Sequence, residues 1–249
     1  MSRATLPFVL GVEVPRRGAA DLVIQIDVNS TDPAVARPYQ EIIELFIRAV
    51  RSQVLPTVGD EDSSWEGSAP AFDDRQRLIS TTARVTGLAP EAYLVLVALL
   101  AQSALADTPP KYVHIAGKGT ADVIGLQGLR WEQLQTGDLP VQIDHTADGE
   151  LLEVNLEFSV PLPPELMPRV DEAFTVWDHL VFLGGYRFSF EPDDDFELVL
   201  GDTTQPTRTA VRHIIDSFRG PLLALDGPLR ICRHLVRLGY PVKEILFES

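Results

Sequence analysis

The chain has 249 residues, 45% of them hydrophobic, so it is long enough to bury a full core as one large domain or two small ones. Its 36 acidic and 21 basic residues give a formal net charge of −15, which disfavours non-specific binding to nucleic acid or to an anionic membrane. The only cysteine, Cys232, excludes an intramolecular disulfide and favours a reducing compartment.

The N-terminal segment favours a cytoplasmic protein. Glu13 interrupts its short apolar patch before a signal-peptide core could form. The longest uncharged apolar run, residues 92–106, is shorter than the roughly 18 to 20 residues that a membrane span needs. We therefore predict a cytoplasmic protein without a membrane-spanning helix.

A strand pattern at residues 22–28 recurs at residues 152–158. Apolar side chains occupy alternate positions of both segments, which predicts strands with one buried face. The opposite face carries Gln25 and Asp27 in the first segment, and an amide and an acid again 130 positions later. The second half of the chain is therefore predicted to follow the same plan as the first.

Matched prolines follow both strands at the same offset. Pro33 corresponds to Pro163 and Pro38 to Pro168, at points where a strand gives way to an amphipathic helix pattern and proline suits the first turn. Upstream of each strand, an extended segment and a turn predict an opening hairpin.

Each half is also predicted to end with a helix followed by a strand. Helix patterns cover residues 91–103 and 229–238, the latter with Asp226 as its N-cap, and strands follow at residues 110–115 and 241–247.

The middle segments of the two halves differ. A hairpin is predicted at residues 186–200, whereas the first half has a polar tract at residues 57–68. Residues 77–86 fit a strand or a helix, and residues 209–218 favour a helix because five apolar side chains share one helical face.

These patterns predict an α+β fold made of two similar ferredoxin-like units that arose by internal duplication. The units span residues 6–117 and 139–249, are joined by a linker at 118–138, and each has an antiparallel-leaning sheet covered by two helices. Two domains and one continuous pseudo-twofold domain both agree with this pattern. Sheets joined edge to edge would hide their exposed strands.

The sequence contains no catalytic motif, which leaves open whether the protein is an enzyme. Local hints of nucleophilic chemistry are confined to three pairs, none of them with a nucleophile elbow: Asp144 with His145, Asp178 with His179, and Cys232 with His234. Neighbouring helix positions point in different directions, so Asp178 and His179 are not expected to pair. Cys232 is expected in the core and His145 in solvent.

No metal or cofactor is predicted. The five histidines lack metal-ligand spacing, and residues 193–195 lack the alternating ligands and central glycine of an EF-hand loop. The segment Ala116-Gly-Lys-Gly-Thr120 lacks the spacing of a P-loop.

Two acidic surfaces are the candidate sites for a basic protein partner. An acidic loop with an aromatic residue is a common composition of such contacts. The candidate residues are Asp60, Glu61, Asp62 and Trp65 in one tract, and Glu191, Asp193, Asp194 and Asp195 at a predicted hairpin tip.

The preferred hypothesis is a non-catalytic acidic protein that binds a cationic protein, such as an immunity protein that neutralises a toxin. The alternative is an enzyme or small-molecule sensor whose site lies in the crevice between the two units, since ligand sites commonly form at such interfaces. A third hypothesis is a structural subunit that forms homo-oligomers through an apolar patch.

Overall fold

A computed structural model describes residues 6, 8–59, 61–106, 109–118, 122–125, 134, 136–144, 151–186, 201–216, 218 and 221–248. Within these residues the chain is a mixed α+β protein with four α-helices and two sheets, of seven and five strands.

The first sheet has the strand order β3–β5–β2–β6–β1–β7, and β4 also pairs with β5. β2 is antiparallel to both β5 and β6, whereas β1 is parallel to β6. Its strands are β1 (Val9–Pro15), β2 (Ala20–Asp27), β3 (Ser64–Gly67), β4 (Ala71–Asp73), β5 (Leu78–Thr86), β6 (Tyr112–Lys118) and β7 (Val123–Gly125).

The second sheet has the order β10–β11–β9–β12–β8. β9 is antiparallel to β11 and β12, and β8 is parallel to β12, so its four strands β11–β9–β12–β8 match the directions of β5–β2–β6–β1. Its strands are β8 (Val141–Asp144), β9 (Leu151–Phe158), β10 (Asp202–Thr207), β11 (Ala210–Asp216) and β12 (Val242–Glu248).

The four helices are α1 (Pro33–Arg51), α2 (Pro90–Ala106), α3 (Met167–Phe182) and α4 (Asp226–Arg237). α1 begins after Asp32, whose carboxylate accepts a hydrogen bond from the Ala34 backbone N–H, and Pro33 suits its first position. Short 3-10 helices precede α3 and α4.

The helices lie between the two sheets. α1 and α2 contact the first sheet, α3 and α4 contact the second, and α1 packs against α3. We call the first sheet with α1 and α2 the first half, the second sheet with α3 and α4 the second half, and the boundary between them the seam. α2 is buried on almost every side, because its residues from Ala92 to Ala101 are apolar all round the helix.

The repeated strand pattern is confirmed as β2 and β9. The side chains of both that point towards the helices are buried, and the polar ones between them lie on the outer faces. The predicted helices at residues 91–103 and 229–238 are confirmed as α2 and α4, and the strands that follow them as β6 and β12.

The predicted opening hairpins are wrong. β1 and β2 are not paired with each other, because β6 lies between them, and β12 lies in the same way between β8 and β9. A long-range strand is inserted where the sequence suggests a local turn. Within the described residues the two sheets are separate and are not joined edge to edge.

The helix predicted at residues 209–218 is wrong, since the segment forms β11. Val211, His213 and Ile215 are its buried side chains and have the period of two of a strand. The polar character of His213 concealed this alternation. The ambiguous segment 77–86 is also a strand, β5, and the polar tract 57–68 contains β3.

Asp226 is not the N-cap of α4. The helix is preceded by Leu225, without a side-chain cap, and Asp226 is a buried first-turn residue. Its carboxylate accepts a hydrogen bond of 3.1 Å from Arg230, one turn later in the helix.

Two predicted segments lie wholly or largely outside the described residues: the hairpin at residues 186–200 and the linker at residues 118–138. Within the linker, β7 is described and pairs with β1.

Replacing Gly227 by alanine is expected to destabilise the fold by about 1 to 3 kcal/mol through overpacking. A Cβ atom there would lie 2.3 Å from Cδ1 of Trp177, whose indole N–H is fixed by a hydrogen bond of 2.7 Å to the Ala224 carbonyl. This cost exceeds the gain of up to about 1 kcal/mol from alanine as the better helix former. Urea unfolding measures the difference.

Gly125→Ala is the control, because the nearest atom to its added Cβ is 3.5 Å away. Its free energy of unfolding is expected to lie within about 0.5 kcal/mol of the wild-type value. Equal stability of the two variants would contradict the tight packing of Gly227 on Trp177.

Candidate functional site

The outer face of the second sheet carries five carboxylates on three neighbouring strands, and we call it the acidic face. Its residues are Asp144, Glu153, Glu157, Glu244 and Glu248. In the strand register Glu153 lies opposite Glu248, Glu157 opposite Glu244, and Asp144 opposite Glu248. Like charges directly opposite each other on one face destabilise a sheet.

Four polar side chains partly offset this repulsion: Asn155, Arg212, Lys243 and Gln142, whose side-chain amide donates a hydrogen bond of 3.3 Å to Glu244. Asn155 donates hydrogen bonds of 2.6 Å to Glu153 and 3.1 Å to Glu248. Arg212 forms an ion pair with Glu153, and Lys243 one of 2.7 Å with Glu157. The hydrogen bond from Arg212 is the main cause that lowers the pKa of Glu153 below its usual value. The face is therefore held negative, with more carboxylates than cations.

The corresponding positions of the first sheet carry two carboxylates instead of five. One row consists of Glu13, Ala116 and Val23 in register. Tyr112 and Asp27 form a second row, separated from the first by the row of His114 and Gln25. The first half thus has fewer acids at these equivalent positions, although Asp21 and Glu66 lie elsewhere on its outer face, so the strand arrangement does not require the acids of the acidic face.

Side-chain interactions join the two halves across the seam. Arg48 of α1 donates to Glu172 of α3 at 2.8 Å. Asp62, which precedes β3, accepts a hydrogen bond of 3.0 Å from His234 of α4 and pairs with Arg237 of the same helix.

The carboxyl pKa of Asp62 lies below its ordinary value of 3.8. Partial burial by itself raises the pKa, but the hydrogen bonds from His234 and Arg237, together with the positive charges of these residues, outweigh it. Asp62 is therefore ionised at neutral pH and holds α4 against the first half.

Two cavities lie along the seam. The larger, of about 630 Å³, is a groove between α1, the end of α2 and the end of α3, and we call it the apolar groove. Its apolar lining residues are Pro38, Ile42, Leu45, Leu99, Phe182 and Leu183.

The second seam cavity, of about 320 Å³, lies where the end of α1, the start of α3 and the middle of α4 meet. Its ionisable lining residues are Arg51, Arg169, Glu172 and His234. We call it the arginine cavity.

A buried polar network lies in the core of the second half. His213 of β11 pairs through Nε2 with Asp178 of α3 at 2.9 Å, and its Nδ1 lies 2.9 Å from the Thr203 hydroxyl. Asp178 also accepts a hydrogen bond of 2.8 Å from the Gly201 backbone N–H. The imidazole stacks on Phe174 with ring centroids 4.4 Å apart.

This hydroxyl–imidazole–carboxylate series has the residue types of a nucleophilic triad. However, the side chains of His213 and Asp178 are only 1% and 2% exposed, so a substrate cannot reach them in this conformation. None of Asp178, Thr203 and His213 lines either seam cavity. The network therefore positions α3 on the second sheet.

The sequence did not reveal this network, because its members are far apart in the chain. Asp178 is indeed not paired with His179, whose Nδ1 lies 2.7 Å from the Thr175 carbonyl oxygen. The available signal was a histidine at an inward position of an alternating segment, between Val211 and Ile215.

The predicted acidic tract has a mixed outcome. Glu61 is exposed, whereas Asp62 is engaged within the chain. Trp65 is buried in β3 and packs edge-on against Phe46, so the expectation of an aromatic on an exposed loop is wrong. The partner-binding role of the tract stays a prediction.

Several other candidates lie outside the described residues: Asp60, His145, Glu191, Asp193, Asp194 and Asp195. Cys232 is buried as expected, and burial raises the pKa of its thiol to about 12. Among the described residues, no group of three or more histidine, cysteine or acidic side chains could hold a metal ion.

In the part of the chain that the structure describes, the helices are too short or too polar to cross a membrane. Comparison with known proteins finds no protein-family model that matches the chain and no curated protein with significant sequence similarity to it.

Asp178→Ala is expected to destabilise the protein by about 3 to 5 kcal/mol, because it leaves the buried His213 and the partly buried Gly201 N–H without their acceptor. Denaturant unfolding measures the effect. Asp171→Ala, on the exposed face of the same helix, is the matched control and should change stability by less than about 0.5 kcal/mol. Similar losses in both variants would refute the structural role of the network.

The Asp62 interactions are expected to stabilise the protein at neutral pH and to fail in acid. Because folding lowers the pKa of Asp62, its contribution is present above the ordinary value of 3.8 and is lost as the pH falls through the lower, folded-state pKa. The difference in unfolding free energy between the wild type and Asp62→Asn should therefore shrink below that pH.

Glu61→Gln removes a neighbouring exposed carboxylate and serves as the control for that pH series. Its unfolding free energy should follow the wild type across the range. A constant difference for Asp62→Asn from neutral to strongly acidic pH would contradict the lowered pKa.

Proposed function

We propose that this protein is a non-catalytic binding protein that engages a cationic protein through the acidic face. The observation that carries the proposal is the set of carboxylates that lie opposite one another across β8, β12 and β9. Such pairs cost stability within the free protein, and a partner that supplies cations would relieve that cost.

The comparison between the two sheets supports this role. Equivalent positions of the first sheet hold two carboxylates, so the acidic excess of the second sheet is not a requirement of the strand arrangement. A retained local cost that the fold does not need is typical of a functional surface.

The charge of the whole chain favours the same partner. A net charge of −15 attracts a basic protein over a long range and speeds its association, and the acidic face would then fix its orientation. An immunity protein that neutralises a basic toxin is one protein of this class. The proposal requires no catalytic group.

We also infer that the two halves are copies of one ferredoxin-like unit with an added N-terminal strand. The orders β3–β5–β2–β6 and β10–β11–β9–β12 correspond strand for strand, and β1 and β8 occupy the same added position. The sequence repeat at an offset of 130 residues, which aligns β2 with β9, supports a duplication. On this inference only the second copy acquired the acidic face.

The alternative proposal is a small-molecule sensor or an enzyme whose ligand lies at the seam. The two cavities favour it, because both are formed jointly by α1 of the first half and α3 of the second. Their volumes are within or near the range of roughly 300 to 1,000 Å³ that is common for ligand sites.

The partner proposal is tested by neutralising one face at a time. Affinity capture from the native cell identifies a basic protein that binds the wild type, and calorimetry then measures its affinity with purified components. The triple variant Asp144→Asn, Glu157→Gln, Glu244→Gln should weaken binding at least tenfold and reduce its salt dependence.

The control neutralises three exposed acids on the outer face of the first sheet, with Glu13→Gln, Asp21→Asn and Glu66→Gln. It has the same net charge as the first triple variant, so it should bind almost like the wild type if position matters. Equal weakening by both variants would show that the net charge of the protein, and not the position of the acids on the acidic face, determines binding. A third variant with Asp193, Asp194 and Asp195 changed to asparagine tests the predicted hairpin tip.

A further inference from the structure

We propose that the cationic partner adds a strand to the second sheet, at the side of β8 that faces away from β12. We call this side the far edge of β8. The inference rests on the proposed function, because it assigns the way in which the partner of the acidic face binds. It is carried by the backbone of β8, by the exposure of its side chains, and by the equivalent edge of the first sheet.

The backbone of β8 has hydrogen-bonding groups at its far edge. Among the described strands β12 is its one partner, in a parallel register with Ile245 opposite Val141. The Ile245 N–H donates to the Pro140 carbonyl at 2.9 Å, so the ladder to β12 uses Pro140 and every second residue after it. The N–H and C=O groups of Val141 and Ile143 therefore point away from β12. Such groups are a template for another strand.

The side chains of β8 are also open to solvent. Gln142, Ile143 and Asp144 are all exposed, and Ile143 retains 43% of its surface although it lies opposite the buried Phe247 on the helix side of the sheet. β10, at the other end of the sheet, is protected as an edge, because Pro206 lies in a bulge. The residues of β8 include no proline and pair with β12 without a bulge.

The first sheet accepts one more strand at the equivalent edge. β1 has the position of β8 there, and β7 pairs with it in antiparallel direction, with Gly125 opposite Glu13. Glu13 and Asp144 hold equivalent positions in the two sheets. Among the described residues no strand lies beside β8 as β7 lies beside β1. We therefore expect the partner strand to be antiparallel to β8.

The charges beside β8 select a cationic strand. Asp144 lies opposite Glu248, which lies opposite Glu153, so a row of acids ends at the far edge. A lysine or arginine beside Asp144 would continue this row with the opposite charge. The added strand thus alternates cations on the outer face with apolar side chains next to Ile143. A second copy of this chain would instead bring another net charge of −15 to the same edge.

A short peptide of alternating lysine and valine, blocked at both ends, is the probe for the full chain. Calorimetry at low salt should show one peptide bound per chain, and NMR hydrogen exchange should show protection of the Val141 and Ile143 N–H groups. The control peptide has the same sequence with an N-methyl group on every valine, which keeps the charge but removes the N–H groups that would pair with Ile143. It should bind at least tenfold more weakly.

Ile143→Pro tests the same edge from the side of the protein. It removes an N–H of the far edge and leaves the ladder to β12 intact, and proline is tolerated in an edge strand. This variant should unfold like the wild type and lose at least tenfold in peptide affinity, whereas Ile143→Val, which keeps the N–H, should bind like the wild type.

The proposal is overturned if the lysine–valine peptide does not bind at millimolar concentration, if the N-methylated peptide binds equally well, or if folded Ile143→Pro binds like the wild type. Self-association of the chain through Val141 and Ile143 would also overturn it. These results leave the capture of a basic protein by the acidic face unaffected. Failure to capture a basic protein, with the peptide bound as expected, would instead refute the proposed function.

Discussion

The fold depends on the need to cover α2. A helix that is apolar on every side cannot face water on any of them, so the first sheet and α1 are not sufficient to bury it. The second half supplies part of the remaining cover: a Cβ atom placed on Gly185, just beyond α3, would lie 3.0 Å from Val95 and 3.2 Å from Leu99. Packing around α2 thus brings the helices of both halves into one layer. The seam cavities lie within this layer, where α1 and α3 are neighbours.

The strands and helices with strong local periodicity were predictable from sequence, and those defined by distant partners were not. β2 and β9 alternate cleanly and α4 is amphipathic, so local side-chain spacing was sufficient for them, whereas α2 has no such period and is indicated only by its long uncharged apolar run. The insertion of β6 between β1 and β2 depends on hydrogen bonds between strands about a hundred residues apart, which a turn motif cannot reveal. In β11, His213 occupies an inward position where an alternating strand pattern predicts an apolar residue. A histidine can be buried there because Asp178 and Thr203 bind its two ring nitrogens.

The candidate sites were less predictable than the fold, because the role of a charged side chain depends on which residues lie opposite or beside it in the folded chain. Glu157 was recognised as an outward acid of its strand, but its position opposite Glu244 depends on the pairing of β9 with β12. The sequence predicts Asp62 as part of an acidic partner-binding surface, whereas its side chain pairs with His234 and Arg237 from the other end of the chain. Acids outnumber cations on the acidic face, whereas arginines and carboxylates occur together at the seam.

The added strands also set an order in which the sheets can assemble during synthesis. β1 is made first, yet its neighbours in the sheet are β6 and β7, so it must wait as an unpaired segment until the rest of the first half has followed. β8 waits in the same way for β12, its one partner among the described strands and the last strand of the second sheet to be synthesised. A ribosome that stalls before β12 therefore leaves two strands of the second sheet unformed, and β9 with one uncovered edge. Such an intermediate would display unpaired backbone groups, which chaperones and proteases can recognise.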